Sequence, residues 1–202
     1  MMMRAGTLLS TTLLCGLLST TAVQAQVSGA DVWQGWKDVA TSSGQTVTSG
    51  SEETSGGELV VRGITFTSTE PDVTVTGTLD EARFRDLGDG TVEVTMSPSY
   101  PLTIDTKNNE GAAVRVEVAV TQTNLRMLVG GTPGQMTYDL TSDAIGIATT
   151  AVTEAGAPLP VSFSVVANAA GGRYVVNRTA PDAIDLESTF NAGDIRVSVA
   201  AR

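Results

Sequence analysis

The feature that most constrains this chain is the alternation of apolar and polar residues, which continues from about residue 45 to the end of the sequence. In one representative run, Val114, Val116, Val118 and Val120 alternate with Arg, Glu and Ala. Because successive side chains of a strand point to opposite faces, each run predicts a strand with one buried and one solvent-facing side. One-sided strands are typical of antiparallel sheets. We therefore predict a mainly β protein, an antiparallel meander of about a dozen short strands that forms a curled sheet or a sandwich.

Turn-forming residues separate these runs. Asp89-Gly90 can supply the positive φ angles of a tight hairpin, and residues 130–134 are rich in glycine. The polar stretch from Thr48 to Gly57 predicts a flexible hairpin loop. No long linker interrupts the pattern, so we expect a single β-rich domain over residues 26–202. The chain ends directly after an alternating run, which fits truncation at the C-terminus. The parity of the apolar positions also changes after Leu79, which predicts a β-bulge near Asp80 and Glu81.

One segment near the N-terminus follows a helical spacing instead. Its apolar residues recur three and four positions apart, at Val32, Trp33, Trp36, Val39 and Ala40. Ser28 or Asp31 can cap the start of this short amphipathic helix, and Gly44 can end it. Both tryptophans of the chain lie on its apolar face. We therefore expect the helix to pack on the β core, with a platform for ligand stacking as the alternative.

The first 25 residues have the pattern of a cleavable export signal. A basic start at Arg4 precedes an apolar stretch over residues 8–18, and Val23-Gln24-Ala25 offers small residues for cleavage after Ala25. The apolar stretch is shorter than the about 20 residues that a membrane span requires, so no integral span is expected after cleavage. We therefore predict a periplasmic or secreted protein.

The charge balance of the chain disfavours two classes of binding partner. Removal of Arg4 leaves 11 of the 12 Lys and Arg residues against 22 Asp and Glu, so the net charge changes from −10 to −11. Such an acidic protein is not expected to bind nucleic acid or anionic lipid head groups through a basic face. The excess of acid favours solubility after export.

Histidine is absent from the chain, and the single cysteine, Cys15, lies in the predicted signal peptide. A Ser-His-Asp triad, a cysteine nucleophile, an ordinary zinc site and a disulfide are therefore excluded from the mature chain. Carboxylates are plentiful, but the spacing of none of them singles out a catalytic pair or a calcium loop. Arg83 and Arg85 share one sheet face and predict a charge cluster on the polar side, with anion binding as the alternative. We assign no catalytic residue, metal ligand or cofactor, and expect a protein that is not an enzyme.

Aromatic residues make up only 4% of the chain, so the apolar face of the sheet is expected to be shallow and in need of a cover. The cover can be a second sheet, the tryptophan helix, an envelope protein, or a lipid or other hydrophobic small molecule. The residues predicted to form an apolar ligand face are Trp33, Trp36, Val92, Val94, Met96, Val114, Val116 and Val118.

Three functions follow from this interpretation. The first is a non-enzymatic periplasmic protein that binds a hydrophobic ligand or an envelope partner on the apolar sheet face. The second is a structural or adhesive β-sandwich of the envelope, for which we expect a closed and dry core. The third is a carboxylate-dependent glycan hydrolase, which requires two acids facing each other across a cleft, about 5 to 9 Å apart.

Two groups of short motifs resemble exported bacterial proteins of the family catalogued as domain of unknown function 2125. The first is VWQGWKD at residues 32–38, followed by GQTV at 44–47; the second comprises FRD at 84–86, GDGTVEVTMS at 88–97 and YPL at 100–102. The resemblance extends from about Asp31 to Ile104. It implies an alphaproteobacterial periplasmic setting. Because the family has no established activity or catalytic residues, it implies no functional site.

Overall fold

The computed structural model describes residues 26–180 and 183–201, so the predicted signal peptide, residues 181–182 and Arg202 lie outside the described residues. These residues form one helix and thirteen antiparallel strands, all in a single sheet. The prediction of a mainly β, antiparallel fold with one short N-terminal helix is therefore confirmed. The elements are α1 (Gly29–Ser42), β1 (Gln45–Thr48), β2 (Ser51–Ser55), β3 (Glu58–Glu70), β4 (Val73–Asp86), β5 (Val92–Met96), β6 (Ser99–Lys107), β7 (Ala113–Thr123), β8 (Arg126–Thr132), β9 (Gln135–Glu154), β10 (Ala157–Pro158), β11 (Val161–Ala180), β12 (Ala183–Asn191) and β13 (Asp194–Ala201).

Four long strands, β3, β4, β9 and β11, run the full length of the sheet along the strand direction. Beside them, pairs of short strands lie end to end. The long strands pair at one end with β2, β5, β8 and β12, and at the other end with β1, β6, β7 and β13. The sheet therefore has two halves. We call the half with β2, β5, β8 and β12 the covered half, because α1 packs on its inner face, and the other the open half.

The sheet curls around the helix. α1 contacts β1, β3 and β4 near one edge of the sheet and β12 near the other. Within the described residues no second sheet packs on the first, so the curled sheet is the alternative that the structure adopts. The helix supplies the opposing layer that a one-sided apolar sheet requires. α1, the only helix among the described residues, is too short and too polar to cross a membrane.

The change of parity predicted near Asp80 and Glu81 is present, but its geometry differs from a simple bulge. The β3–β4 ladder keeps one register throughout and omits a single opposed pair, Gly63 and Asp80. On β3 the buried residues nearest to this break are Val61 before it and Ile64 after it, three positions apart. At this break the inward-facing positions of β3 and β4 therefore shift by one residue together. Neither strand contains an extra residue. The break lies at the boundary between the covered and open halves.

A second break of the same kind lies between the other two long strands. The β9–β11 ladder omits the opposed pair Asp143 and Ala169 and keeps its register on both sides. In each break an aspartate faces a residue with positive φ, 61° at Gly63 and 48° at Ala169. The left-handed backbone conformation is therefore part of the boundary between the two halves of the sheet.

We expect Gly63→Ala to lower the free energy of unfolding by about 1 kcal/mol, because a Cβ is disfavoured at positive φ. A Cβ at Gly63 would lie 3.6 Å from the nearest Gly50 atoms, so steric overlap adds little. The matched control is Gly130→Ala, where a Cβ would also meet its nearest neighbour at 3.6 Å but the φ angle is not positive. Urea denaturation measures both variants. Equal stability of the two would contradict the role assigned to the backbone at this break.

The helix begins with a capping box and is tied to the sheet at its first turn. The backbone N–H of Asp31 donates to the Ser28 hydroxyl at 3.3 Å, and the Ser28 N–H donates to the Asp31 carboxylate at 3.0 Å. Both predicted caps therefore act at the start of α1. The Gly29 N–H donates to Asp86 on β4 at 2.8 Å. Gly44, with φ of 73°, follows the last turn as predicted.

The prediction of a flexible loop over residues 48–57 is wrong. Ser51–Ser55 forms β2, an edge strand paired with β3. Glu52 on this strand accepts a hydrogen bond from the Trp33 indole N–H at 2.7 Å. A polar composition indicated a loop, but backbone pairing with β3 and this contact with the helix hold the segment as a strand.

Candidate functional site

An aromatic cluster joins α1 to the covered half of the sheet. Phe84 is fully buried, and its ring centroid lies 5.1 Å from that of Trp36 and 6.0 Å from that of Trp33. Trp33 is itself only 2% exposed. These contacts fix the helix on the sheet and place the half-buried Trp36 at the border of the packed core.

Two cavities flank the helix where this packing ends. Cavity 1 has a volume of about 490 Å³ and lies between α1 and strands β9, β11 and β12; its lining residues are Trp36, Val39, Ala40, Ser43, Gln45, Tyr138, Tyr174, Val176, Leu186 and Ser188. Cavity 2 has a volume of about 240 Å³ and lies on the β3 side; its lining residues are Trp33, Trp36, Gln45, Val47, Ile64, Phe66, Leu79, Met96 and Tyr100.

The lining of both cavities is apolar and uncharged. No Asp, Glu, Lys or Arg belongs to either set of lining residues, and the polar members are Ser43, Gln45, Ser188 and the tyrosine hydroxyls. Apolar clefts of about 300–1,000 Å³ with few polar groups are typical of small-molecule sites. The arrangement can therefore accept a hydrophobic ligand, but it offers no acid, base or nucleophile of the usual catalytic types.

Two stacked tyrosines form the wall of cavity 1. The rings of Tyr138 and Tyr174 are nearly parallel, with centroids 4.2 Å apart. Their hydroxyls lie 3.3 Å from the Met136 sulfur and 3.5 Å from the Met127 sulfur, respectively. Burial raises the pKa of Tyr138 to about 12 and also raises the pKa of Tyr174. Both hydroxyls are therefore neutral at physiological pH, and the wall stays uncharged.

The predicted ligand-face residues near the helix fall into two groups. Val92 and Val94 are fully buried, and Trp33 is nearly so, which places all three in the core between α1 and the sheet. Trp36 and Met96 are half-buried and line the cavities, and Trp33 also contributes to the lining of cavity 2. Alternation showed correctly that these side chains point inward, but the helix covers the valines and leaves only the margin of this face accessible.

The other predicted residues lie apart from the cavities, on β7 in the open half. Val114 and Val116 are half-buried and Val118 is 7% exposed. No helix covers this part of the inner face among the described residues. The apolar surface continues to β13, where Val197 and Val199 are 61% and 76% exposed. The structure therefore does not bring the eight predicted residues together into one site.

Sequence reasoning missed the residues that contribute most to cavity 1. Tyr138 and Tyr174 are not among the predicted site residues, although the chain has only three tyrosines. The rarity of tyrosine was the signal that the sequence offered. Two of the three tyrosine rings stack where β9 pairs with β11. Leu186 on β12 was also missed; it is 58% exposed and lines the mouth of cavity 1.

Charged residues hold both edges of the helix. Asp38 forms an ion pair with Arg178 on β11, and Lys37 lies 4.0 Å from Glu52 on β2. Burial acts to raise the pKa of Asp38, but the hydrogen bonds from Arg178 and a neighbouring amide lower it overall. The indole of Trp33 is the main cause of the lowered pKa of Glu52. Both carboxylates therefore stay ionised and keep α1 in place between the cavities.

The outer face of the sheet carries the charge cluster predicted for Arg83 and Arg85. Arg83 donates to Glu81 at 2.7 Å, and Arg85 pairs with Glu93. The pKa of Glu93 is lowered by its hydrogen bonds with Arg126 and Arg85, in that order. Because both arginines have carboxylate partners, the cluster is an ion-pair network on the solvent side of the sheet.

The aspartates at the connection between β4 and β5 have structural roles. Asp86 accepts the hydrogen bond from the start of α1, and Asp89 accepts from the Thr91 N–H at 3.0 Å within its turn. Within residues 26–180 and 183–201, no group of three or more acidic, His or Cys side chains is placed to hold a metal ion.

Comparisons of the chain with protein-family models, with curated proteins and with solved structures find no match. The resemblance to the domain of unknown function 2125 family therefore stays a prediction. A fold alone does not identify a function, so the function has to be argued from the geometry of the site.

Proposed function

We propose that this is a non-enzymatic, exported protein that binds a hydrophobic ligand in the two cavities beside α1. The observation that carries the proposal is the pair of uncharged, aromatic-lined cavities that meet at Trp36. Transfer of apolar surface from water into such cavities is favourable by about 25 cal/mol per Å². Binding therefore requires no reaction and no cofactor.

The proposed setting is the periplasm or another exported location. The pattern of the first 25 residues favours export, and the excess of Asp and Glu suits a soluble protein that does not adhere to anionic membrane surfaces. A protein that moves or senses a hydrophobic molecule in this setting has to shield that molecule from water. Cavities closed on one side by a helix supply such shielding.

The two alternative functions have less support. A structural or adhesive sandwich requires a closed, dry core, whereas both cavities here lie open beside the packed aromatic cluster. A glycan hydrolase requires two acids across a cleft, but no acid lines either cavity. The acids described above instead lie in ion pairs, in turns and at the start of the helix.

Binding of the neutral dye N-phenyl-1-naphthylamine tests the proposal. We expect saturable binding, with energy transfer from tryptophan, because Trp36 borders both cavities. Ser188→Phe places a ring at the mouth of cavity 1 and is expected to weaken binding about tenfold, or ~1.4 kcal/mol.

Thr189→Phe is the matched control, since Thr189 is the next residue of β12, is also exposed, and points to the opposite face. The control is expected to bind the dye like the unmodified protein. Absence of saturable binding, or equal loss in both variants, would show that the cavities are not the binding site.

A further inference from the structure

The two cavities are neighbours that share part of their lining, and we treat them as two branches of one candidate site. Trp36 and Gln45 line both of them, and the remaining lining residues belong to one cavity only. Trp36 lies on α1 and forms a wall between the branches, while Gln45 is exposed at the start of β1. A molecule that enters beside Gln45 can therefore extend on either side of the Trp36 ring.

The two cavities differ in size. Cavity 1, at about 490 Å³, has about twice the volume of cavity 2, at about 240 Å³. A single-chain ligand would fill one branch and leave apolar walls without contacts in the other. A ligand with two apolar arms fills both.

The charges around the site limit the head group of the ligand. Neither branch has a charged lining residue, and the formal net charge of −11 on the predicted mature chain repels anions. The cations closest to the helix are already paired, Lys37 with Glu52 and Arg178 with Asp38. Gln45 lies where the branches meet, and its amide can both donate and accept hydrogen bonds. An uncharged head with hydroxyl or carbonyl groups suits this position.

We propose that the ligand is an uncharged lipid with two apolar arms, of the diacylglycerol class, whose arms diverge around Trp36 and whose head lies beside Gln45. This inference rests on the proposed function and specifies its ligand. One arm occupies cavity 1 against the stacked tyrosines, and the other occupies cavity 2.

Displacement of N-phenyl-1-naphthylamine by three water-soluble lipids tests the inference on the unmodified mature protein. The competitors are 1,2-dioctanoylglycerol, monooctanoylglycerol and dioctanoylphosphatidic acid. We expect dioctanoylglycerol to displace the dye at a concentration about tenfold below that of either other lipid, since the single-chain lipid lacks an arm and phosphatidic acid brings an anion. This comparison requires no variant.

Val47→Phe separates the two branches, because Val47 lines cavity 2 and not cavity 1. We expect it to weaken the binding of dioctanoylglycerol about tenfold and to change the binding of monooctanoylglycerol by less than about twofold. Thr46→Phe, on the exposed opposite side of β1, is the matched control and is expected to leave the binding of both glycerides unchanged.

The outcomes distinguish this inference from the proposed function. Equal displacement by the one-chain and two-chain glycerides would overturn the two-armed ligand, although the cavities would still bind apolar molecules. Equal displacement by phosphatidic acid and dioctanoylglycerol would overturn the uncharged head. Failure of the unmodified protein to bind the dye at all would overturn the proposed function itself.

Discussion

Val94→Asp is expected to remove most or all of the stability of the fold. Val94 is fully buried under α1 and pairs across the sheet with Phe84 on one side and Met127 on the other. A carboxylate at this position has no partner and no access to water, which costs about 3–5 kcal/mol or more. Small domains have only about 5–15 kcal/mol of stability in total. Loss of the near-ultraviolet circular dichroism signal and of the cooperative urea transition would record the effect.

Thr95→Asp is the control for this prediction. Thr95 is the next residue of β5, lies on the opposite face, and pairs with Arg83. We expect its free energy of unfolding to stay within about 0.5 kcal/mol of the unmodified protein. Val116→Asp should have an intermediate effect, since Val116 is only half-buried in the open half. Equal tolerance at residues 94 and 95 would show that the inner face has been assigned wrongly.

Phe84→Ala is expected to lower the free energy of unfolding by about 3–5 kcal/mol. The ring is fully buried and contacts both tryptophans of the helix, so its removal leaves a cavity at the centre of the helix–sheet interface. The tryptophan fluorescence should also shift to longer wavelength, because Trp33 gains access to water. Urea denaturation and fluorescence spectra measure the two effects.

Phe190→Ala is the matched control, because Phe190 has the same side chain on β12 but is 61% exposed. We expect a change below about 1 kcal/mol. A loss as large at Phe190 as at Phe84 would contradict the description of α1 as the main cover of the sheet.

The elements that sequence predicted best are those with a strong local pattern. Alternation predicted the antiparallel strands, and a spacing of three and four predicted α1 together with its Ser28 cap. Asp89-Gly90 lies in a turn between β4 and β5 as expected, although the positive φ angles of this turn belong to Gly88 and Gly90 and not to Asp89. Each of these features depends on neighbours within a few residues, and a single sequence contains that information.

The features that sequence did not predict depend on contacts between distant residues. The strand β2 forms because the segment pairs with β3 and Glu52 reaches Trp33, neither of which its polar composition indicates. Tyr138 and Tyr174 meet only because β9 pairs with β11. Alternation shows which residues point inward, but only the position of the helix decides which of them are buried, as Val94 is, or remain open to a ligand.

Native mass spectrometry tests the central claim most directly. The mature protein would be purified without detergent, measured as purified, and measured again after incubation with an extract of envelope lipids. We expect one lipid per chain, released on denaturation, and less of it on Ser188→Phe than on Thr189→Phe. A bare polypeptide mass both before and after incubation would contradict the proposal that the cavities beside α1 bind a hydrophobic ligand.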